Sequence, residues 1–313
     1  MEFLSEIKNW YFKIAQNQGW LFYYKKQIYQ VEYKVKIQNI SALQQSGWIV
    51  IPVPDQKFSQ KIKAAAVFEP EPDVLDADNM YFNKFAAWRF DLEPQSIGGC
   101  SMKLTIEVSP SKGVKPYDCI INDLKYKKAD LHVNADLQEI KEAAEKIKEQ
   151  SKDRHLAKFI NDYALSNLEY GNPIKGLYSA EDAIRLDKVD CGGFNSFAAA
   201  IARACGLSAK LIFGFWAGYK KSEMHAWLEI ENDGKLVPAD PSMEYLRKRG
   251  QTRKSGEFGF VGSDRIIFSE GSDYEIELDG EKHQIEILQH PVILPEDKSL
   301  KIKVETAVEA KKL

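Results

Sequence analysis

A run of small and apolar residues over 194–204 constrains the fold more than any other stretch of the chain. Its inward positions, at three- and four-residue spacing, are Phe194, Phe197, Ala198, Ile201 and Ala202. A helix that is apolar on nearly every side has to be surrounded by other elements, so this one is predicted to lie at the centre of a core. Gly206 follows at the position where a glycine commonly ends a helix.

The turn before this helix carries a cysteine, in Asp190-Cys191-Gly192-Gly193. Free backbone N–H groups and the helix dipole at such a position favour a thiolate. Two further reactive residue types follow: a histidine in Met224-His225-Ala226-Trp227 and a carboxylate at Asp240. An imidazole can take the proton of a thiol, and a carboxylate can hold the imidazole in one tautomer. Cys191, His225 and Asp240 are therefore the predicted catalytic residues.

The spacing of His225 and Asp240 gives a geometric prediction. Residues 224–231 alternate as a strand, Asn232-Asp233-Gly234 is a hairpin turn signal, and the chain then returns as a second strand. If the turn has two residues, counting back along both strands places Trp227 opposite Asp240, with His225 on the same face one diagonal away. A three-residue loop without a bulge would place Asp240 on the opposite face. A functional triad therefore requires the two-residue turn.

Length and charge limit the expected partners. The chain has 313 residues, enough for two or three domains, and its 44% hydrophobic and 28% charged residues are typical of a folded protein. A formal net charge of −3 gives no general attraction to phosphate backbones or anionic membranes, so neither nucleic acid nor a membrane is expected as a partner. Charges interrupt residues 1–20, and no later stretch has the length and apolarity of a membrane span. We expect a cytoplasmic location, unless a leader precedes Met1.

The four cysteines do not predict a metal site, because they form no C-x-x-C pair and no zinc-finger spacing with a histidine. No cofactor is expected either. Cys100, Cys119 and Cys205 are interpreted as buried small apolar residues, although Cys100 and Cys119 could form a disulfide. The remaining histidines have no comparable context and are interpreted as surface or core residues: His132, His155, His283 and His290.

A change of periodicity divides the chain. Residues 1–20 have the spacing of a short amphipathic helix. Strand candidates follow at 27–40, 48–51, 62–68, 86–92 and 101–108, a spacing typical of a β-sandwich. Helices are predicted at about 135–150, with Asn134 as the cap, and at about 154–168; further strands are predicted at 265–268, 274–278, 283–288 and 302–304. We therefore predict an N-terminal β-sandwich-like domain over residues 1–130 and a core with C-terminal strands over residues 131–313.

Five segments of the second region together resemble the transglutaminase-like superfamily of papain-type thiol enzymes. They are, in order, Ser179-Ala180-Glu181-Asp182-Ala183-Ile184, Asp190-Cys191-Gly192-Gly193-Phe194, Arg203-Ala204-Cys205-Gly206-Leu207, Met224-His225-Ala226-Trp227 and Asp240-Pro241. The resemblance covers residues 158–269, and the N-terminal strands resemble the sandwich that often precedes this core in bacterial members. The fold class that it implies is α+β, with a papain-like or transglutaminase-like core and an N-terminal β-sandwich domain.

The resemblance also implies roles for single residues: nucleophile for Cys191, general base for His225 and orienting partner for Asp240. The backbone N–H of Cys191 would give one oxyanion donor. An aromatic or polar side chain upstream of the cysteine commonly gives the second, with Tyr178 as the first candidate here and Tyr170 as the next. A packed surface tyrosine is the alternative interpretation of Tyr178. Trp216 and Trp227 could line an apolar cleft, with core packing as the alternative.

The implied chemistry is attack of a thiolate on an amide or ester carbonyl, formation of an acyl-enzyme, and release to water or to an amine. Release to water would give a cysteine peptidase or amidase, and release to a lysine amine a protein-crosslinking transglutaminase. The expected location and the absence of a clear calcium motif favour hydrolysis. A binding module that kept the fold without turnover is the third possibility. The expected partner is a peptide or protein substrate, or a peptide-like small molecule.

Overall fold

The computed structural model of the chain describes residues 23–112, 115–116, 124–152, 154–186, 188–232, 234–296 and 301–313. The helix predicted over residues 1–20 and the interpretation of Cys119 lie outside these ranges. The architecture is α+β, as predicted, with two four-stranded sheets and a five-stranded sheet that carries helices. None of the helices in the described ranges is both long and apolar enough to cross a bilayer.

The elements follow one another in three groups. The first contains β1 (Gln27–Asn39), β2 (Gln45–Pro52), β3 (Gln60–Glu69), β4 (Val74–Ala77), β5 (Lys84–Leu92), β6 (Ile97–Val108), β7 (Ser111–Lys112), β8 (Lys115–Pro116) and a 3-10 turn at Leu124–Tyr126. The second contains α1 (Gln138–Ser151), α2 (Leu156–Asn167), α3 (Ala180–Arg185), α4 (Cys191–Ala204), β9 (Ala209–Trp216), β10 (Met224–Asn232), β11 (Lys235–Ala239) and α5 (Pro241–Lys248). The third contains β12 (Phe260–Val261), β13 (Arg265–Glu270), β14 (Tyr274–Leu278), β15 (Glu281–Ile285), β16 (Val292–Pro295) and β17 (Ile302–Lys312).

The N-terminal strands form a sandwich of two antiparallel sheets, with strand orders β17-β1-β6-β3 and β16-β2-β5-β4. Strand β1 alternates as its sequence predicts: Val31, Tyr33 and Val35 are buried, and the residues between them are more exposed. Tyr33 and Trp88 belong to one hydrophobic cluster, so side chains of the two sheets share a core. Fully burying a valine, isoleucine or phenylalanine side chain in such a core contributes about 1.5–3 kcal/mol.

The last two strands lie in the sheets of this sandwich. Strand β17 pairs with β1 from Tyr29 opposite Lys312 to Asn39 opposite Ile302, and β16 pairs with β2. The predicted division placed the C-terminal strands with the core over residues 131–313. Alternation in a sequence identifies a strand but does not identify the strand that it pairs with. The boundary near residue 130 stays a prediction, but β16 and β17 complete the N-terminal sheets.

Helix α4 lies at the centre of the second region, as predicted. Every residue from Gly192 to Arg203 is buried, and the helix packs on α1, α2, α3, α5 and the strands β9 and β10. The five-stranded sheet has the order β13-β9-β10-β11-β8. Helix α1 begins later than predicted: its N-cap residue is Leu137, whereas Asn134 Oδ1 accepts a hydrogen bond from the Asp136 N–H.

Candidate active site

The thiol of Cys191 lies at the first residue of α4. Asp190 caps this helix, since its Oδ1 accepts hydrogen bonds from the N–H groups of Gly192 at 2.8 Å and Gly193 at 3.3 Å. A Cβ atom on Gly193 would lie 2.6 Å from the Cβ of Val189. The glycine therefore allows the helix to begin close against the preceding chain. Cys191 itself is half-buried.

The hairpin of β10 and β11 has the predicted register. Asn232 lies opposite Lys235 and Leu228 opposite Ala239, so the turn has two residues. His225 and Asp240 are both buried, and the distance from His225 Nε2 to Asp240 Oδ2 is 2.7 Å. The prediction that these two side chains share one face is confirmed.

Asp240 is held by two sets of contacts. Its Oδ1 accepts hydrogen bonds from the Met243 N–H at 3.0 Å and the Ser242 hydroxyl at 2.8 Å, which caps helix α5. Its Oδ2 lies 2.7 Å from both His225 Nε2 and Arg265 Nη1. Sequence reasoning missed α5 and Arg265. The helix had a signal, because an aspartate followed by proline is a typical N-cap and first helical residue.

Two contacts join the start of α4 to the histidine strand. The Asn195 side-chain amide donates to the carbonyl of Cys191 at 2.6 Å and to that of Ala226 at 3.0 Å. The Ala226 N–H also lies close enough to the Cys191 sulfur to lower the pKa of the thiol. The thiol therefore lies against the backbone of the residue that follows His225.

The electrostatics of the cysteine differ from the prediction. Burial and the Asp190 carboxylate raise the pKa of the Cys191 thiol to about 12, although hydrogen bonds from the Ala226 and Gly192 N–H groups act in the opposite direction. Burial also lowers the pKa of His225 against the opposing effect of Asp240. The resting site therefore favours a thiol and a neutral imidazole, because the helix N-terminus does not outweigh burial and the adjacent carboxylate.

A cavity of about 90 Å³ opens at Cys191. Its apolar wall includes Ile174, Leu177, Phe213 and Met224. Its polar lining includes Tyr170, Asp190, Gln289 and His290. Gln289 also holds the histidine strand, since its Nε2 donates to the carbonyls of Gly214 at 2.7 Å and His225 at 2.9 Å. No pattern in the sequence predicted that Gln289 or His290 would reach this cavity.

The aromatic residues predicted for the site occupy different places. Tyr170 lines the cavity, and burial together with the nearby Cys191 raises its pKa. The Tyr178 hydroxyl donates to the Asn172 carbonyl at 2.9 Å, and this side chain is not among those lining the cavity. Trp216 and Trp227 are buried and also lie outside the cavity lining. Their rings lie 4.6 Å and 6.2 Å from the imidazole of His225, so they pack behind the histidine.

A wider groove of about 600 Å³ adjoins this cavity, and the two share Ile174, Met224 and His290. The groove also contains Lys175, Ser222 and Glu223 from the core and Val304, Thr306 and Val308 from strand β17. Both regions of the molecule therefore border the approach to Cys191. Within the described ranges, no group of three or more histidine, cysteine or acidic side chains is placed to hold a metal ion.

Comparison with protein-family models finds a match for the part of the chain that carries the candidate site. Residues 141–241 match the model of the transglutaminase-like superfamily. This chain has a transglutaminase-like core. The matched segment runs from α1 to the start of α5 and contains Cys191, His225 and Asp240.

Solved structures extend the comparison beyond the transglutaminase-like core. A protein from Cytophaga hutchinsonii described as a "putative cysteine protease" aligns over 92% of this chain and 91% of its own, with a TM-score of 0.61 and 13% identity. A "putative protease" from Parabacteroides distasonis aligns over 69% of this chain and 43% of its own, with a TM-score of 0.28 and 11% identity. No curated protein matches the sequence. The first alignment shows that a fold similar to nearly the whole of this chain occurs in another protein.

Proposed function

We propose that the protein is a thiol hydrolase that cleaves amide bonds, with Cys191 as the nucleophile, His225 as the general base and Asp240 as its orienting partner. The observation that carries this proposal is the 2.7 Å contact between His225 Nε2 and Asp240 Oδ2. His225 lies on β10, the strand that Asn195 joins to Cys191. The contact with Asp240 leaves Nδ1 of the imidazole for the proton of Cys191.

The proposed reaction has two halves. The thiol proton passes to His225 as the sulfur bonds to the substrate carbonyl carbon, and the imidazolium then protonates the leaving amine as the C–N bond breaks. Water, deprotonated by the same imidazole, then attacks the acyl-enzyme carbonyl. The C–S bond breaks, the acid leaves, and the imidazolium returns the proton to the Cys191 sulfur. The Cys191 N–H and the Tyr170 hydroxyl are the proposed oxyanion donors, because Tyr170 lines the cavity and Tyr178 is bonded elsewhere.

A peptide or protein segment is the proposed substrate, and a peptide-like small molecule would fit by the same chemistry. The small cavity would take the group next to the cleaved bond, while the adjoining groove would take the continuing chain. A cytoplasmic setting remains our expectation and would keep the thiol reduced. The net charge of −3 gives no reason to expect nucleic acid or an anionic membrane as a partner.

Substitution of the cysteine tests the proposal. An activated ester such as p-nitrophenyl acetate should acylate the protein once, at Cys191, as read by peptide mass spectrometry. Cys191→Ala should lower the rate of p-nitrophenolate release by about 10³-fold or more, because the nucleophile is lost. Cys205→Ala is the matched control, since this cysteine is half-buried and its thiol donates to the Ala144 carbonyl. Full ester turnover by Cys191→Ala would overturn the proposal.

Transfer to an amine differs from hydrolysis only in the second half of the reaction. A glutamine-containing peptide would be incubated with and without a primary amine, and the products weighed. We expect deamidated or cleaved peptide in both samples. An amine adduct as the main product would identify a transglutaminase. Binding of the peptide without acylation of Cys191 would identify an inactive binding module.

A further inference from the structure

A buried arginine shares the carboxylate of the candidate triad. Arg265 begins strand β13 and has 2% of its surface exposed. Its Nη1 lies 2.7 Å from Asp240 Oδ2, the oxygen that also contacts His225. Its Nη2 donates to the carbonyl of Ser255. One carboxylate oxygen is therefore shared by a fixed positive charge and the imidazole.

Two indole rings hold this arrangement. The guanidinium carbon of Arg265 lies 4.2 Å from the ring centroid of Trp216 and 5.5 Å from that of Trp227. The same two tryptophans pack on the imidazole of His225. Gly256 has a φ of +123°, and a Cβ there would lie 2.2 Å from Nη2 of the arginine. The guanidinium therefore has a fixed position, set by stacking and by a close backbone approach.

Packing alone does not account for a charge at this place. The 2.7 Å contact of Nη1 with Asp240 is an ion pair, yet Nη1 and Nε both lack a hydrogen bond of good geometry to any described residue. Burying an arginine with unsatisfied donors is unfavourable. A protein with apolar side chains of similar volume in place of a buried ion pair is often equally stable or more stable. The buried positive charge is therefore more readily explained by the needs of the candidate active site than by stability.

We infer that Arg265 is a positioning residue of the Cys191 site, which holds the Asp240 carboxylate in place and keeps the His225 imidazole uncharged until it receives the thiol proton. This inference rests on the proposed function. It assigns the arginine no contact with the substrate.

The charged and titratable groups around His225 are consistent with this role. They are Asp240 at the start of α5, Arg265 on β13, Lys254 in the loop after α5, and Asp190 and Cys191 at the start of α4. Burial lowers the pKa of His225, Asp240 raises it, and Arg265 and Lys254 lower it. Without the guanidinium, the negative charge of Asp240 would act on the imidazole alone and stabilise the imidazolium.

Titration of His225 by NMR tests the inference without requiring turnover. We expect Arg265→Gln to shift the His225 midpoint to higher pH, and Arg265→Lys to restore it towards the wild-type value because the charge returns. Lys254→Gln is the control: this lysine also lies 4.6 Å from the Trp216 ring but does not contact Asp240, so its removal should give a smaller shift. A folded Arg265→Gln protein with an unchanged midpoint would overturn the inference, whereas loss of ester turnover alone would bear only on the proposed function.

A double-mutant cycle covers the case in which Arg265→Gln does not fold. Asp240→Asn leaves the guanidinium buried without its counter-charge, so this variant should be strongly destabilised. Adding Arg265→Gln should then raise the urea midpoint above that of Asp240→Asn alone. A double variant no more stable than Asp240→Asn would show that the two side chains are not coupled, and the inference would be wrong.

Discussion

The side chain before the cysteine has two opposite effects on it. As the N-cap residue, Asp190 aligns the first turn of α4 through its bonds to the Gly192 and Gly193 N–H groups. As a carboxylate beside the thiol, it raises the pKa of Cys191 together with burial. A neutral cap would keep the first effect without the second. Asp190 therefore positions the thiol of Cys191 but disfavours its ionisation to a thiolate.

Asp190→Asn separates these effects. The amide oxygen can still cap α4, but the charge is removed and the Ile174 N–H loses its acceptor, at about 1 kcal/mol of stability. Because the pKa of Cys191 is raised in the wild type, iodoacetamide labelling should climb steadily from about pH 7 to about pH 10, and the curve should move to lower pH in the variant. Asp182→Asn, in the cap of α3, is the control. Coincident curves would exclude Asp190 as a cause of the raised pKa.

At the scale of elements, the site depends on how α4 is fixed to β10. Asn195 is fully buried and bridges the carbonyls of Cys191 and Ala226, while its own Oδ1 has no hydrogen-bond partner in the described part of the chain. Asn195→Ala should cost about 2 kcal/mol of unfolding free energy in urea, since two buried carbonyls lose a donor. Asn167→Ala, which removes an exposed bond to the Tyr163 carbonyl, should cost much less. Equal costs would contradict a clamping role for Asn195.

Sequence reasoning succeeded at this scale where the information was local. The hairpin register follows from turn length and strand parity, and the central position of α4 from its composition, so Cys191, His225 and Asp240 could be placed in advance. Arg265 could not be placed, because nothing local shows that the first residue of a strand is buried beside a distant carboxylate. The choice between Tyr178 and Tyr170 likewise depends on the path of the chain before α3.

At the scale of the whole molecule, the groove beside the cavity has walls from both regions. Thr306 is exposed on β17 and lines the groove, whereas Ala307 does not line it and, as the next residue of the strand, points to the other face. Thr306→Trp should slow labelling of Cys191 by a peptidyl chloromethyl ketone while leaving iodoacetamide labelling unchanged, because only the larger reagent needs the groove. Ala307→Trp is the matched control. Equal labelling of both variants by the peptide reagent would show that substrates do not use this groove.

The pairing of β17 with β1 also limits the order in which the parts of this protein can fold. The ribosome synthesises β1 before the core and β17 after it, so β1 emerges with one edge unpaired and keeps it open throughout translation of the core. Domains generally fold in the order in which they are synthesised, but this sandwich cannot complete its sheets first. The wall that β17 gives to the groove at Cys191 is therefore among the last parts of the nascent protein to form.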